Sequence, residues 1–236
     1  MLRFTEYQEK GISGLANLGN TCFMNSTLQC LSHCYELNNF LVKGTYKKKL
    51  NKKAESLILL EWDKLREMLW SENCIISPGG FISSVQKVAK IKDKEIFTGF
   101  AQNDSSEFLG FIIDCFHTAI QREVNMTITG TADSETDKLA EKCYAMMKNM
   151  YKKEYSEFLN LFYGIQVTKI VDESDKFMNA VPEPFLMLNL ALPENSQQNN
   201  KPCTLIDCFN KYTLVEVLDG DNKLYNEETK EKYVAK

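Results

Sequence analysis

The chain has 236 residues, 44% of them hydrophobic and 25% charged, with a net charge of −4. That balance describes a globular protein long enough to bury a sizeable core in one or two domains. The acidic sign argues against a nucleic-acid partner, and no run approaches the roughly 18 apolar residues of a membrane-spanning helix. The basic run Lys47-Lys48-Lys49-Leu50-Asn51-Lys52-Lys53 reads as a solvated face, and Met1–Lys10 lacks the apolar segment of a secretory leader. Eight cysteines are spread from Cys22 to Cys208 without a single C-x-x-C pair. Reduced thiols in an intracellular protein, cytoplasmic or nuclear, with no bound metal and no cofactor, are therefore expected.

In chain order, Gly11, Gly14 and Gly19 suit turns in the lead-in. Met24, Leu28, Leu31 and Tyr35 recur at helical spacing, which predicts a helix from about Cys22 to Tyr35. A second helix is predicted over Ala54–Trp70 through Ile58, Trp62, Leu65 and Leu69. Ser77-Pro78 reads as a cap and first helical position for a third, with Phe81, Val85 and Val88 on one side. Asp104-Ser105-Ser106-Glu107 is a carboxylate analogue of the capping box and opens a fourth through Phe108, Ile112, Phe116 and Ala119. Thr127–Asp137 reads as a loop and Asp137–Phe158 as a further helix. Gln166–Val171 alternates polar and β-branched residues as a half-buried strand does, and Phe185–Leu192 is a second candidate strand. Asn195–Pro202 is a polar loop, Cys203–Tyr212 a short helix, and Asp219-Gly220-Asp221-Asn222 a turn. Helices first and strands second give the class α+β.

Cys22 stands where a Gly- and Asn-rich turn enters the first helix. Unpaired N–H groups and the positive end of the helix dipole favour a thiolate there. A thiolate attacking an amide carbonyl creates an oxyanion, for which the side-chain amide of Asn17 and the N–H of Cys22 are the candidate donors. The same residue types also suit an inert core cysteine behind a turn-forming Asn.

The stretch Gly14-Leu15-Ala16-Asn17-Leu18-Gly19-Asn20-Thr21-Cys22-Phe23-Met24-Asn25-Ser26-Thr27-Leu28-Gln29-Cys30-Leu31 resembles, at nearly every position, the Cys box of the ubiquitin-specific proteases. These are papain-like deubiquitinating cysteine peptidases. Gln102-Asn103-Asp104-Ser105-Ser106-Glu107-Phe108-Leu109 resembles the family's Gln-Gln-Asp box, with Asn103 replacing the second Gln. Ser156–Gly164, Phe185–Leu190 and Thr204–Phe209 follow in family order, so the likeness runs from about Gly11 to Lys236.

The resemblance implies a single domain of papain-like, α+β fold. A helical thumb over about 11–160 is followed by fingers and a partial palm over about 161–236. It implies Cys22 as nucleophile and Asn17 as oxyanion donor, with Gln102 and Asp104 beside the channel that admits the tail of ubiquitin. Ubiquitin and ubiquitinated proteins are then the partners.

Two departures accompany the likeness. Many family members bind zinc in the fingers through two C-x-x-C pairs, but Val171–Lys176 and Tyr225–Thr229 stand at those places without a cysteine. The family's general base is a His in a C-terminal Gly-His-Tyr box, and the sequence ends before such a box. His33 and His117 are the two histidines present. His33 lies eleven residues along the nucleophile's own helix, about 16 Å at about 1.5 Å per residue, beyond proton-sharing reach. Three accounts stay open on these residues: the N-terminal part of a longer or split deubiquitinase, a ubiquitin- or partner-binding protein that does not cleave, and a base supplied from elsewhere.

Overall fold

The computed structural model describes residues 7–174, 176–193, 202–225 and 230–236. The expected loop Asn195–Pro202, up to residue 201, and residues 226–229 of the second zinc position lie outside the described residues. The chain up to Met126, together with Asn149–Phe162, forms one compact unit, and Thr127–Lys148 with Tyr163–Lys236 forms another.

The first unit is helical. A two-residue strand β1 (Gly14–Leu15) leads to α1 (Cys22–Ser32), α2 (Tyr35–Val42), α3 (Glu55–Leu69), strand β2 (Ile75–Ile76), α4 (Gly79–Ile91) and α5 (Ser105–Ile120). The chain returns to this unit through the end of α6 (Glu135–Lys153) and α7 (Glu157–Phe162). Helix α3 packs against α4 and α5, and α1 packs against α5. Trp62, fully buried on α3, meets Phe81 of α4 and Phe116 of α5, each with ring centres 6.2 Å away. Phe116 in turn contacts Phe158 of α7 at 5.3 Å. Trp62, Phe81 and Phe116 are among the apolar positions whose spacing predicted α3, α4 and α5, and their burial drives the packing.

The predicted first helix is two helices. Ser32 ends α1 because its carbonyl accepts from Trp70 Nε1 at 3.0 Å and from Asn38 Nδ2 at 2.6 Å, partners 38 and six residues away. Helix α4 begins one residue later than the cap pattern indicates, with Pro78 before Gly79. The predicted helix Asp137–Phe158 is also divided. Tyr155 leaves the helix to exchange backbone hydrogen bonds with Arg122, Arg122 N–H to Tyr155 O at 2.9 Å and Tyr155 N–H to Arg122 O at 2.7 Å.

The second unit is built around an antiparallel pair, β3 (Gly164–Val171) and β4 (Phe177–Phe185), with Gly164 opposite Phe185 and Thr168 opposite Val181. The expected strand Phe185–Leu192 is thus misplaced: β4 ends where it was to begin. Pro182 and Pro184 hide β4 from sequence patterning, since proline reads as a strand breaker. Spaced by two, they leave their missing donors on one edge of a two-stranded sheet. Helix α8 (Leu205–Tyr212) follows, then the short pair β5 (Leu224–Tyr225) and β6 (Lys232–Tyr233).

Candidate active site

The approach to Cys22 is braced on both sides. Strand β1 pairs in parallel with β2, Gly14 N–H donating to Cys74 O and Ala16 N–H to Ile76 O, both at 2.9 Å. Two polar side chains of α1, four residues apart and so on one helix face, reach back to the same segment. Asn25 Nδ2 donates to Leu15 O and Ala16 O at 3.3 and 3.2 Å, and Gln29 Nε2 donates to Ser13 O at 2.8 Å. The loop in front of the thiol is therefore tied to the helix behind it.

Between Ala16 and Cys22 the chain turns through two left-handed residues, Gly19 (φ +106°) and Asn20 (φ +51°), residue types that tolerate this region. Asn17 Oδ1 sits inside the turn and accepts from Gly19 N–H at 3.1 Å, Thr21 N–H at 3.2 Å and Thr21 Oγ1 at 3.1 Å. Three donors around one atom identify it as the oxygen and settle the orientation of the amide. Nδ2 is then the outer atom, uncommitted among the described residues. Thr21, buried, closes the motif by accepting from Leu18 N–H at 3.2 Å.

Cys22 is the first residue of α1 and its side chain is exposed, which excludes the inert core reading. The N-cap residue Thr21 gives its hydroxyl to Asn17 and makes no side-chain cap, so the first-turn N–H groups of α1 are not consumed by it. An exposed thiol beside uncapped helix donors and a fixed amide can attack a carbonyl and stabilise the resulting oxyanion.

The second sequence-predicted segment is brought alongside. Asn20 Nδ2 donates to Phe100 O at 3.1 Å, and Thr27 Oγ1 reaches Ser105 O at 3.4 Å. Beneath them Phe23 of α1 packs edge-on against Phe108 of α5 at 5.4 Å, with Phe97 beside both. Asp104 caps α5: its Oδ1 accepts from Ser106 N–H at 2.7 Å, Glu107 N–H at 3.0 Å and the Ser106 hydroxyl. The Ser106 hydroxyl, followed by these two N–H groups, holds the carboxyl below its ordinary value of 3.8. Asn103 does structural work, donating to Ile96 O and Ala101 O at 2.9 and 3.0 Å. Gln102 is exposed at the head of this segment.

Neither histidine approaches Cys22. His33 follows the last residue of α1, with Nδ1 2.9 Å from Gln29 O. His117 is buried near the far end of α5, with Nδ1 2.8 Å from Ser156 Oγ, and burial holds its pKa below 6.5. Thr21, Asn25 and Gln29 are the site residues that sequence reading passed over. The signal for the last two was present, polar amides four apart on one face of the helix; Thr21's role depends on a turn geometry that patterning does not reveal. Among the described residues no group of three or more His, Cys, Asp or Glu gathers into a metal-holding cluster.

Comparison with known proteins accounts for this arrangement. Residues 13–221 match the family model for ubiquitin carboxyl-terminal hydrolase. Ubiquitin carboxyl-terminal hydrolase 2 of Homo sapiens is 33% identical over 221 residues, covering 91% of this chain and 35% of that protein; the Bos taurus protein is 32% identical over 218 residues with the same coverage. The chain thus spans about a third of the length of these relatives. Among solved structures, the SAGA Ubp8/Sgf11/Sus1/Sgf73 DUB module bound to ubiquitin aldehyde superposes with a TM-score of 0.62 at 20% identity, covering 97% of this chain and 44% of that one. The fold is accordingly the papain-like, α+β fold of ubiquitin-specific protease catalytic domains. With a family model matched along most of its length, and an exposed Cys22 behind a turn organised by Asn17, the chain belongs to the ubiquitin carboxyl-terminal hydrolase family.

Proposed function

We propose that this chain carries the nucleophilic part of a deubiquitinase that hydrolyses the peptide or isopeptide bond after the C-terminal glycine of ubiquitin. Cys22 Sγ attacks the glycine carbonyl, and Asn17 Nδ2 with the Cys22 N–H stabilises the oxyanion. The C–N bond breaks as the amine leaves with a proton, and water hydrolyses the resulting thioester. Gln102 and Asp104 border the path of the ubiquitin tail, and ubiquitin and ubiquitinated proteins are the partners. Eight unpaired thiols support an intracellular location.

One observation carries the reading: an exposed thiol at the first residue of α1, five residues after an amide whose oxygen is held by three donors. It is supported by relatives named ubiquitin carboxyl-terminal hydrolases and by a neighbour of the same fold bound to ubiquitin aldehyde. The proton acceptor for Cys22 is a group other than His33, whose Nδ1 lies against Gln29 O at the far end of α1, and His117, whose Nδ1 lies against Ser156 Oγ near the far end of α5.

A ubiquitin bearing a C-terminal thiol-reactive warhead tests the assignment. The native protein should form a covalent adduct mapped to Cys22, and Cys22→Ala should form none. Measurable ubiquitin affinity without an adduct would overturn the nucleophile assignment and leave a ubiquitin-binding protein that does not cleave.

A further inference from the structure

At the start of α8, Cys203 and Cys208 place their Sγ atoms 3.6 Å apart. Thr204 is the N-cap of this helix, so Cys203 is the residue before the cap and Cys208 the fourth residue within it. Those are the two positions at which a hydrophobic pair commonly packs to set the angle at which the chain joins a helix. Here the packing pair is two thiols. The backbone between them is held by a reciprocal capping box, Asp207 N–H donating to Thr204 Oγ1 at 3.2 Å and Thr204 N–H to Asp207 Oδ2 at 2.9 Å. Cys208 is buried, whereas Cys203 is half-buried and reachable from solvent. Two thiols fall short of the four ligands of a structural zinc site.

We propose that Cys203 and Cys208 form a reversible intramolecular disulfide that closes over the first turn of α8. The sulfur atoms must approach by about 1.5 Å to reach the bonded distance of about 2.05 Å. Rotation of the Cys203 side chain, whose residue lies outside the helix, supplies that movement. A hydroperoxide is the oxidant. The Cys203 thiolate attacks the peroxide, its S–O bond forming as the O–O bond breaks, and hydroxide leaves to become water. Cys208 then attacks that sulfur as thiolate. The S–S bond forms, the S–O bond breaks, and a second water carries away the oxygen and the thiol proton. Two electrons pass from the two thiols to one peroxide, and an added dithiol reverses the change by thiol–disulfide exchange.

The proposal is independent of the role of Cys22. It is tested on the full chain and on Cys22→Ala, each titrated with hydrogen peroxide, alkylated and digested with trypsin. Lys201 precedes Pro202, so the peptide of residues 177–211 retains both cysteines and no others. This peptide should lose both alkylation sites and two hydrogens of mass, identically in the two proteins, and regain both sites after dithiothreitol. Cys203→Ser should abolish the mass loss and leave Cys208 singly alkylated. Full alkylation of both cysteines after the exposed Cys30 and Cys74 have been oxidised, separate sulfinic or sulfonic acids on each, or disulfides from either to another cysteine would each overturn the proposal. The wild-type map decides the matter even if the serine variant folds poorly.

Discussion

Thr21 donates its hydroxyl to Asn17 Oδ1 at 3.1 Å while accepting from Leu18 N–H at 3.2 Å, so one buried side chain holds the amide that faces the proposed oxyanion. Rotation of the Asn17 amide would place its NH₂ against three donors, which forbids the flipped form.

If Asn17 donates to the oxyanion, Asn17→Ala should lower kcat by about 10²–10³-fold with little change in KM. Thr21→Val keeps the shape but releases the amide. Its loss should be smaller, up to about 100-fold, because misplacement of a positioned group is the cost. Thr21→Ser should recover most of it. Hydrolysis of ubiquitin carrying an amide-linked C-terminal fluorophore by the native protein is the measurement, and an unaffected Thr21→Val would remove Thr21 from the site.

Tyr46 is fully buried and donates to Asp63 Oδ2 at 2.6 Å, while Arg66 Nε and Nη2 donate to Asp63 Oδ1 at 2.9 and 2.7 Å. Tyr46→Phe leaves a buried carboxylate oxygen without its hydroxyl donor. It should reduce stability by about 1–3 kcal/mol in urea titration while leaving warhead labelling of Cys22 unchanged.

Gly164 lies opposite Phe185, whose ring would stand 2.5 Å from a Cβ added at this glycine. Gly164→Ala should therefore destabilise the β3–β4 pair by about 1–3 kcal/mol through overpacking. Faster amide exchange in both strands would show it. Phe185→Leu in the same chain should recover part of the loss, and additive effects of the two changes would contradict a direct clash.

Glu157 links three chain segments: Arg122 grips both its oxygens at 2.6 and 3.1 Å, and Lys49 Nζ lies 2.5 Å from Oε1. Burial pushes its pKa up, but hydrogen bonds from Arg122 and Lys49 outweigh this and bring it down to about 2. A carboxyl depressed in the folded state stabilises fully above its unfolded value of 4.5, and that contribution fades as pH falls toward 2. His117 acts in the same direction at higher pH. Burial depresses its pKa below 6.5, so the unfolded chain takes up the proton first and stability falls as pH drops below 6.5. Urea midpoints measured against pH should decline in both windows. Glu157→Gln should flatten only the lower one, and an unchanged acid limb in that variant would show the ion pairs to be energetically idle.

Much of this molecule was legible before folding. Periodic apolar residues placed α3 within a residue at each end, and the Asp104 cap located the start of α5, because burial of one helix face and satisfaction of first-turn N–H groups are local demands written into adjacent residues. The Cys box and the Gln102–Leu109 stretch likewise announced the family. What patterning misjudged were places where a distant partner overrode local preference. Trp70 and Asn38 end α1 at Ser32, Arg122 draws Tyr155 out of a helix, and Phe185 closes a strand containing two prolines that reads locally as broken.

The amino-acid sequence by itself thus determined α3, the start of α5, and the placing of a thiol with an amide neighbour ahead of a helix, since each depends on residues within a few positions of one another. Only the tertiary structure decided that Asn17 presents its nitrogen outward, that Cys22 is exposed, and that Phe100–Asp104 lies beside them. Those outcomes depend on hydrogen bonds and ring contacts between segments up to 85 residues apart, and such partners are chosen by packing.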